Sequence, residues 1–324
     1  MAKWNYYRVD MDLKGRMTQI PDSQKIFGAM IHRMAQNFPS EQVTEFVAKQ
    51  KSGKASLAVS NLLPRGYVPV PYSALVGRLG EDNEEINPKR KMIYKELKKR
   101  SYVKIDQLDL WLKEPVTAKD VFPYVNVVNT QQIHASIDSK RYDLPGLDPN
   151  LYSVPEVIVN EVHSTKVHTI HEFMFYIAIE QETDGMRLLK VLESAKDEGR
   201  TFVLGPRGSQ GMNTFQVHGI HQDSVFTSDQ EGYYLNLGML LPGNIDFGKS
   251  SLKLFTSERR PFNPPGGWDE GNHKQFISFI EAGSIIYAPN GIESAGHSIQ
   301  SPFHPRDIVF GNALLYALGE RSAR

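Results

Sequence analysis

Alternation of apolar and polar residues near the start of the chain predicts a strand followed by a helix. Residues 6–13 (YYRVDMDL) alternate as a half-buried strand does. Pro21, Asp22 and Ser23 then form a helix-start signal, and the apolar residues after them recur at helical spacing. The pattern therefore predicts a β-strand that packs against an amphipathic helix.

The same pair of elements returns beyond the middle of the chain. Residues 173–180 (FMFYIAIE) form an apolar run typical of a strand that is buried on both faces, and a helix over 184–198 follows it. A glycine-rich segment, 204–220, then runs directly into another strand, and a small-residue strand candidate lies earlier, at 55–60. The order of these elements is that of a split βαβ, ferredoxin-like fold.

The segment between the two halves of this pattern has no sustained periodicity. We predict that about 61–160 is an insertion in which Pro- and Asp-rich loops extend to Pro155. After residue 221 the pattern of strands starts again and continues to the end of the chain. We therefore expect an α+β protein of two ferredoxin-like (RRM-like) domains, 1–221 and a more β-rich 222–324.

Composition excludes several classes of function. The chain has 324 residues and no cysteine, which removes thiolate nucleophiles and disulfides and is consistent with the cytoplasm. We find no apolar segment of the length that a signal peptide or a membrane span needs, so no membrane association is expected. Lys+Arg and Asp+Glu are equal at 37 each, so attraction of a polyanion must come from local clusters.

One basic cluster lies within the predicted insertion. Between Lys89 and Lys104 there are eight Lys or Arg residues and one acid, Glu96. Such a run suits a phosphate backbone or an acidic partner surface, and it is equally typical of a solvated helix face.

The glycine-rich loop is the strongest local candidate for binding an anion. Glycine lets backbone N–H groups approach a phosphate closely, and a cation stands within the loop. The loop lacks the Lys-Ser/Thr pair of a Walker motif and leads into a strand, which also excludes a dinucleotide fingerprint. A mobile turn that needs glycine is the alternative. The candidate binding residues are Gly205, Arg207, Gly208, Ser209, Gln210 and Gly211.

Histidines suggest metal binding or acid–base chemistry less strongly. His168 and His171 lie where a strand starts, and a three-residue spacing puts the two rings on opposite faces. His218 and His221 lack a carboxylate spaced as a third ligand. We therefore expect structural histidines, no metal site, no cofactor and no catalytic residues.

Three segments in this order resemble a known family. They are PDSQKIFGAM (21–30), ASIDSKR (135–141) and LGPRGSQGMNTF (204–215). The chain resembles the RAMP superfamily of CRISPR proteins, most closely the fourth subunit of the type III-A Csm effector complex. The segments GYYLNLGMLL and NALLYALGE extend the resemblance over nearly the whole chain.

The resemblance implies a non-catalytic RNA-binding subunit of an antiviral ribonucleoprotein. Such a subunit caps the 5′ tag of the guide RNA (crRNA) and joins the large polymerase-like subunit to the backbone RAMP subunit. Besides the glycine-rich loop, the implied RNA-binding residues are Ser136, Ile137, Asp138, Lys140, Arg141, Ser23 and Lys25. The basic run would belong to the thumb-like element that presses on RNA or on a neighbouring subunit.

The sequence departs from the family pattern at three positions. Pro206 replaces a glycine and has no N–H to donate. Asn213 replaces another glycine, and asparagine tolerates the left-handed conformation. Ser139 stands where the family often has an arginine, and Lys140 and Arg141 are the cations that could replace that arginine.

Two other functions remain open at this point. Some RAMP proteins are metal-independent endoribonucleases that process repeat RNA, and His32, His168 and His171 would then supply the acid and the base. The balanced charge also fits a protein-interaction module that makes no contact with RNA.

Overall fold

The computed structural model describes residues 4–52, 56–80, 88–108, 112, 123–136, 150–180, 183–223, 231–259, 275–302 and 307–318. The α-helices in these ranges are α1 (Ser23–Asn37), α2 (Ser40–Lys51), α3 (Tyr72–Gly80), α4 (Pro88–Lys98) and α5 (Thr183–Asp197). No helix in these ranges has the length and apolarity needed to cross a membrane.

Strands make up most of the remaining regular structure. The strands up to the glycine-rich loop are β1 (Trp4–Leu13), β2 (Leu57–Val59), β3 (Leu63–Pro64), β4 (Tyr67–Pro69), β5 (Tyr102–Lys104), β6 (Tyr124–Ser136), β7 (Asn150–His163), β8 (Lys166–Thr169), β9 (Glu172–Glu180) and β10 (Thr201–Val203). Those after it are β11 (Thr214–Gln222), β12 (Gly232–Asn236), β13 (Asp246–Ser251), β14 (Leu254–Arg259), β15 (Gln275–Ile280), β16 (Ile285–Ala288), β17 (Ile299–Gln300), β18 (Ile308–Val309) and β19 (Leu315–Ala317).

The first sheet confirms the predicted ferredoxin-like arrangement. Its strands lie in the order β10-β11-β1-β9-β2, and the pairs are antiparallel. With β1, β2, β9 and β11 as the four core strands, the spatial order is 4-1-3-2, and α1 and α5 are the two connecting helices.

Both helices cover one face of this sheet. Asp22 caps α1 by accepting a hydrogen bond from the Lys25 amide at 2.9 Å, and Phe27 and Met30 are buried below it. Strand β9 is buried on both faces, as its uninterrupted apolar run predicts. Its odd-numbered residues, such as Phe175, share a core with the helices, and its even-numbered ones, such as Tyr176, belong to a second core.

A second sheet packs against the face that has no helices. Its order is β13-β16-β12-β19, again 4-1-3-2 when counted along the chain, and its pairs are antiparallel. Within ranges 231–259, 275–302 and 307–318 the structure has no α-helix: the β14–β15 strand pair lies between β13 and β16, and a 3₁₀ turn and the β17–β18 pair lie between β16 and β19. The later part of the chain is therefore β-rich with a ferredoxin-like strand order.

Main-chain hydrogen bonds join the two sheets at β2. The Val59 amide donates to the Asn312 carbonyl at 3.0 Å, and the Leu314 amide donates to the Val59 carbonyl at 3.1 Å. A side chain at Gly238 would place its Cβ 2.7 Å from the Val59 oxygen, so this close approach requires glycine. The two sheets therefore have a defined relative position.

The segment between β3 and β9 forms its own antiparallel sheet, β4-β5-β6-β7-β8. The expectation of loops out to Pro155 was wrong, because β6 and β7 pair continuously from Tyr124 with Val162 to Ser136 with Asn150. Beyond Val125 most β6 side chains are partly or fully exposed on both faces. Apolar alternation is weak there because no single face of this ribbon has to be buried.

Ser23 provides a test of how the sheets are joined. Its buried hydroxyl accepts a hydrogen bond from the Met239 amide at 3.0 Å. Ser23→Ala should lower the free energy of unfolding by about 1–3 kcal/mol, because that amide loses its buried partner. Thermal or urea unfolding would measure the change. Ser209→Ala, at an exposed loop position, is the control, and equal stability of the two variants would contradict the role of Ser23.

Candidate nucleic-acid interface

The glycine-rich loop joins β10 to β11 and projects its tip into solvent. Ser209, Gln210 and Gly211 are exposed. Arg207 and Gly211 both adopt the left-handed conformation, with φ of 62° and 74°. Backbone hydrogen bonds within the loop use the amides of residues 210–212, and the Asn213 amide donates to the Arg16 carbonyl at 2.7 Å. Gly208 and Ser209 start a 3₁₀ turn, whose first amides have no partner within the turn, so they suit a contact to an anion.

Asn213 ties this loop to the loop that follows β1. Its φ is 53°, so the left-handed turn expected at this position is present. Its buried amide group accepts from the Thr18 amide at 2.9 Å and donates to the Thr18 hydroxyl and the Pro206 carbonyl, both at 2.8 Å. One side chain thus satisfies three polar groups and holds two loops together.

The β6–β7 hairpin reaches the same place. Arg16, in the loop after β1, donates to Gln132 of β6 and lies 3.7 Å from the carboxylate of Glu156 of β7. The Arg207 guanidinium lies over the Tyr152 ring, 5.8 Å from its centroid. The fold therefore brings a cation of the glycine-rich loop onto an aromatic side chain of the hairpin.

The predicted Ile-Asp loop falls only partly within the described residues. Ser136 is paired with Asn150 at the last described position of the two strands. Ile137, Asp138, Ser139, Lys140 and Arg141 lie outside the described residues. Tyr152, which lies against Arg207, is two residues from Asn150 along β7.

The two residues predicted on α1 have different environments. Ser23 is fully buried, and its side chain is engaged between the two sheets. Lys25 is half-buried and forms an ion pair with Asp22, which also caps the helix. The helix start is thus organised by contacts within the protein.

Sequence reasoning missed a cluster of charged side chains on the open part of the first sheet. Asp10, 2% exposed, lies 3.0 Å from Arg8, 3.7 Å from Arg65 and 3.3 Å from the Nε2 atom of His221. Asp12 lies on the same strand as Asp10, β1, and its carboxylate is 3.8 Å from the Nδ1 atom of His218 on β11. The alternation in β1 places both aspartates on one face, which was the available signal, but their histidine partners lie about 200 residues later.

A bulge in β11 explains why both histidines lie on this face. The register between β1 and β11 shifts between Asp10 and Met11. The His221 ring lies so close over Gly219 that a Cβ there would be 2.7 Å from Nε2. A glycine at this position therefore lets the ring reach Asp10.

The other histidines named from the sequence are not part of this cluster. His32 lies on α1 and hydrogen bonds to Gln36 of the same helix, while His168 lies on β8 and His171 just before β9. Among the residues that the structure describes, no group of three or more His, Asp or Glu side chains is placed to hold a metal ion.

Comparison with known proteins identifies the fold. No protein-family model matches the sequence, and no curated protein matches it. A chain in the crystal structure of a Csm3–Csm4 subcomplex in the type III-A CRISPR-Cas interference complex is 12% identical with a TM-score of 0.57, over 97% of this chain and 99% of that one. A chain in the Csm1–Csm4 cassette in complex with pppApApA is 16% identical with a TM-score of 0.55, over 97% and 98%.

A second crystal structure of the Csm1–Csm4 cassette, in complex with cA4, gives 17% identity and a TM-score of 0.51 over the same shares of the two chains. Csm4 is the subunit common to these complexes. The protein thus shares its fold with chains of these complexes over almost its whole length, which confirms the fold that the sequence resemblance implied.

Asn213 offers a test of how the interface is built. Asn213→Ala should destabilise the protein by about 2–4 kcal/mol, because buried partners are left unsatisfied and alanine is strained at positive φ. Asn213→Gly should cost less, since glycine removes the backbone strain but not the loss of hydrogen bonds. Thermal unfolding of both variants would rank them. Equal midpoints for the two variants would exclude the contribution of the backbone conformation.

Proposed function

We propose that this protein is the non-catalytic RNA-binding subunit of a CRISPR type III-A antiviral effector ribonucleoprotein. It would act in the cytoplasm and cap the 5′ tag of the guide RNA. The observation that carries this proposal is the convergence of the glycine-rich loop, the loop after β1 and the β6–β7 hairpin at Arg207 and Tyr152. The shared Csm4 fold supports the assignment to this kind of complex.

The geometry suits a single RNA strand. The exposed tip of the glycine-rich loop offers backbone donors to phosphate oxygens, and Arg207 adds a positive charge. Tyr152 is 41% exposed and stacks on His134 at 5.4 Å between ring centroids. Such a flat surface can stack on a base without reading its sequence. Lys140 and Arg141, which follow β6 in the sequence, would add phosphate contacts.

The proposed partners follow the solved complexes. Csm4 occurs there with Csm1 and with Csm3. We assign this chain the same two kinds of neighbour, a large polymerase-like subunit and a backbone RAMP subunit. The proposal also retains the division into domains 1–221 and 222–324, with the insertion at about 61–160 as a thumb.

Charge reversal tests the RNA contact. In the reconstituted complex, Arg207→Glu together with Lys140→Glu should weaken retention of the guide RNA at least tenfold, because two phosphate contacts become repulsive. For Arg207→Ala alone, the slope of log affinity against log salt should fall by about 0.7, the value for one contact to a single strand. Filter binding over a salt series would measure both effects.

Lys190→Glu is the matched control, since Lys190 is an exposed cation on α5, on the helix-covered side of the first sheet. Its RNA retention should remain at the level of the unmodified protein. Unchanged RNA occupancy in the Arg207/Lys140 double variant would reject the proposed interface.

The charged cluster on β1 and β11 supports a second candidate function, metal-independent cleavage of repeat RNA. Two histidines there are each close to an aspartate, the arrangement that orients an imidazole for proton transfer. One histidine would take the proton of a 2′-hydroxyl, whose oxygen attacks the phosphorus. The other would protonate the departing 5′ oxygen, which leaves a 2′,3′-cyclic phosphate.

This candidate is decided by incubating the purified protein with repeat RNA in the presence of a chelator. If cleavage occurs, His221→Ala should abolish it, and Gly219→Ala should reduce it at least tenfold by moving the His221 ring away from Asp10. His32→Ala should cleave normally. We expect no cleavage at all from the unmodified protein, and specific cleavage that depends on His221 would replace the non-catalytic assignment.

A further inference from the structure

A cleft at the base of the insertion is separate from the proposed interface for the RNA tag. It lies between α3 and α4, the β4–β5 strands and the turn at residues 281–283 of the second sheet. Its volume is about 500 Å³, within the usual range of about 300–1,000 Å³ for pockets that hold small molecules. Parts of the chain that are far apart in sequence therefore enclose a space large enough for a small molecule.

Tyrosines form one wall of the cleft. The rings of Tyr72 and Tyr94 meet edge to face, with centroids 5.9 Å apart, and their hydroxyl groups are hydrogen bonded. Burial, together with this bond, raises the pKa of Tyr72 to about 12. Tyr102 lines the same cleft, and burial raises its pKa as well. One wall of the cleft is thus aromatic and carries hydroxyl groups.

Positive charge surrounds these aromatic rings. Lys98 lines the cleft from α4 and is exposed, and Lys253 lines it from the second sheet. Lys253 also pairs with Glu281 at 2.9 Å, which fixes its position at the rim. Arg100 is 3% exposed and lies 4.8 Å from the centroid of the Tyr124 ring. Three cations against one carboxylate leave the lining with a net positive charge.

The basic helix continues this charge outside the cleft. Lys91, Lys95 and Lys99 are exposed on or beside α4, and Glu96 pairs with Lys99 at 2.7 Å. The basic run that was evident in the sequence is therefore a rim that leads to an aromatic cleft. An anion that also carries a flat ring would satisfy both features.

We propose that this cleft binds a nucleoside phosphate, with the base against the tyrosines and the phosphate near Lys98 and Lys253. Base–aromatic stacking contributes about 1–3 kcal/mol for each base, and every base offers a flat face. The same chemistry is offered by a free nucleotide and by an unstacked nucleotide of an RNA strand. A free nucleotide and a nucleotide of a strand would make the same contacts in the cleft.

The cleft lies near the start of the β6 strand, whereas the loop after β1, which belongs to the proposed tag interface, contacts β6 further along. Arg100 lies on Tyr124 at its start, and Arg16 bonds to Gln132 further along. At the usual strand rise this separation is about 26 Å. Binding in the cleft therefore does not depend on Arg207, and the two sites can fail independently.

Calorimetric titration of the purified protein with adenosine monophosphate, adenosine and inorganic phosphate tests the proposal. The nucleotide should bind at one site, and at least tenfold more tightly than either of its parts. Lys98→Glu and Tyr94→Ala should each weaken the nucleotide at least tenfold, while Lys95→Glu, on the same helix outside the cleft lining, and Arg207→Glu should leave it unchanged. Equal losses in Lys95→Glu and Lys98→Glu would mean unspecific charge attraction and overturn the proposal.

A second measurement distinguishes a free nucleotide from a nucleotide of an RNA strand as the natural ligand. RNA oligonucleotides that contain 4-thiouridine should crosslink to Tyr94 or to a neighbouring cleft residue if the natural ligand is a nucleotide of a strand. Crosslinking without binding of the mononucleotide assigns the cleft to RNA, and mononucleotide binding without crosslinking assigns it to a free nucleotide. Neither binding nor crosslinking, in protein that unfolds at the normal temperature, rejects the site.

Discussion

Docking of the second sheet on the helix-free face of the first is the constraint on which the rest of the structure depends. Tyr6 and Tyr176 of the first sheet share a core with Leu235 and Leu314 of the second, so one part of that face is closed. The part near Asp10 is polar. The Asp10 carboxylate is buried, but its partners Arg8 and His221 remain partly exposed to solvent. Burial of apolar area drives this docking, and hydrogen bonds at β2 define its position.

The open part of the sheet lies beside the glycine-rich loop because this loop leads directly into β11, the strand that carries His218 and His221. Asn213 closes the loop onto Thr18, just after β1, and β11 starts at the next residue. The insertion then adds a hairpin whose Tyr152 meets Arg207. Three connections thus converge on one edge of the sheet, and this convergence is the surface that we propose binds RNA.

Sequence patterns predicted the elements whose burial is simple. Strand β9 is apolar from Phe173 to Ile179 because helices cover one face and the second sheet covers the other, and α1 has a single buried stripe. The β6 strand was missed because beyond Val125 its side chains are partly or fully exposed on both faces. The positive φ at Asn213 was foreseen from residue type, whereas the three hydrogen bonds of its side chain were not.

By itself the sequence determined the α+β order, the glycine-rich loop and the basic run, since each depends on residues that are close along the chain. Tertiary structure alone decided which side chains meet. Asp10 and His221 lie 211 positions apart by their numbers and become partners through a bulge in β11. The tyrosine cleft likewise requires α4 to approach the second sheet. Strand register and sheet docking create such contacts, and local periodicity does not encode either of them.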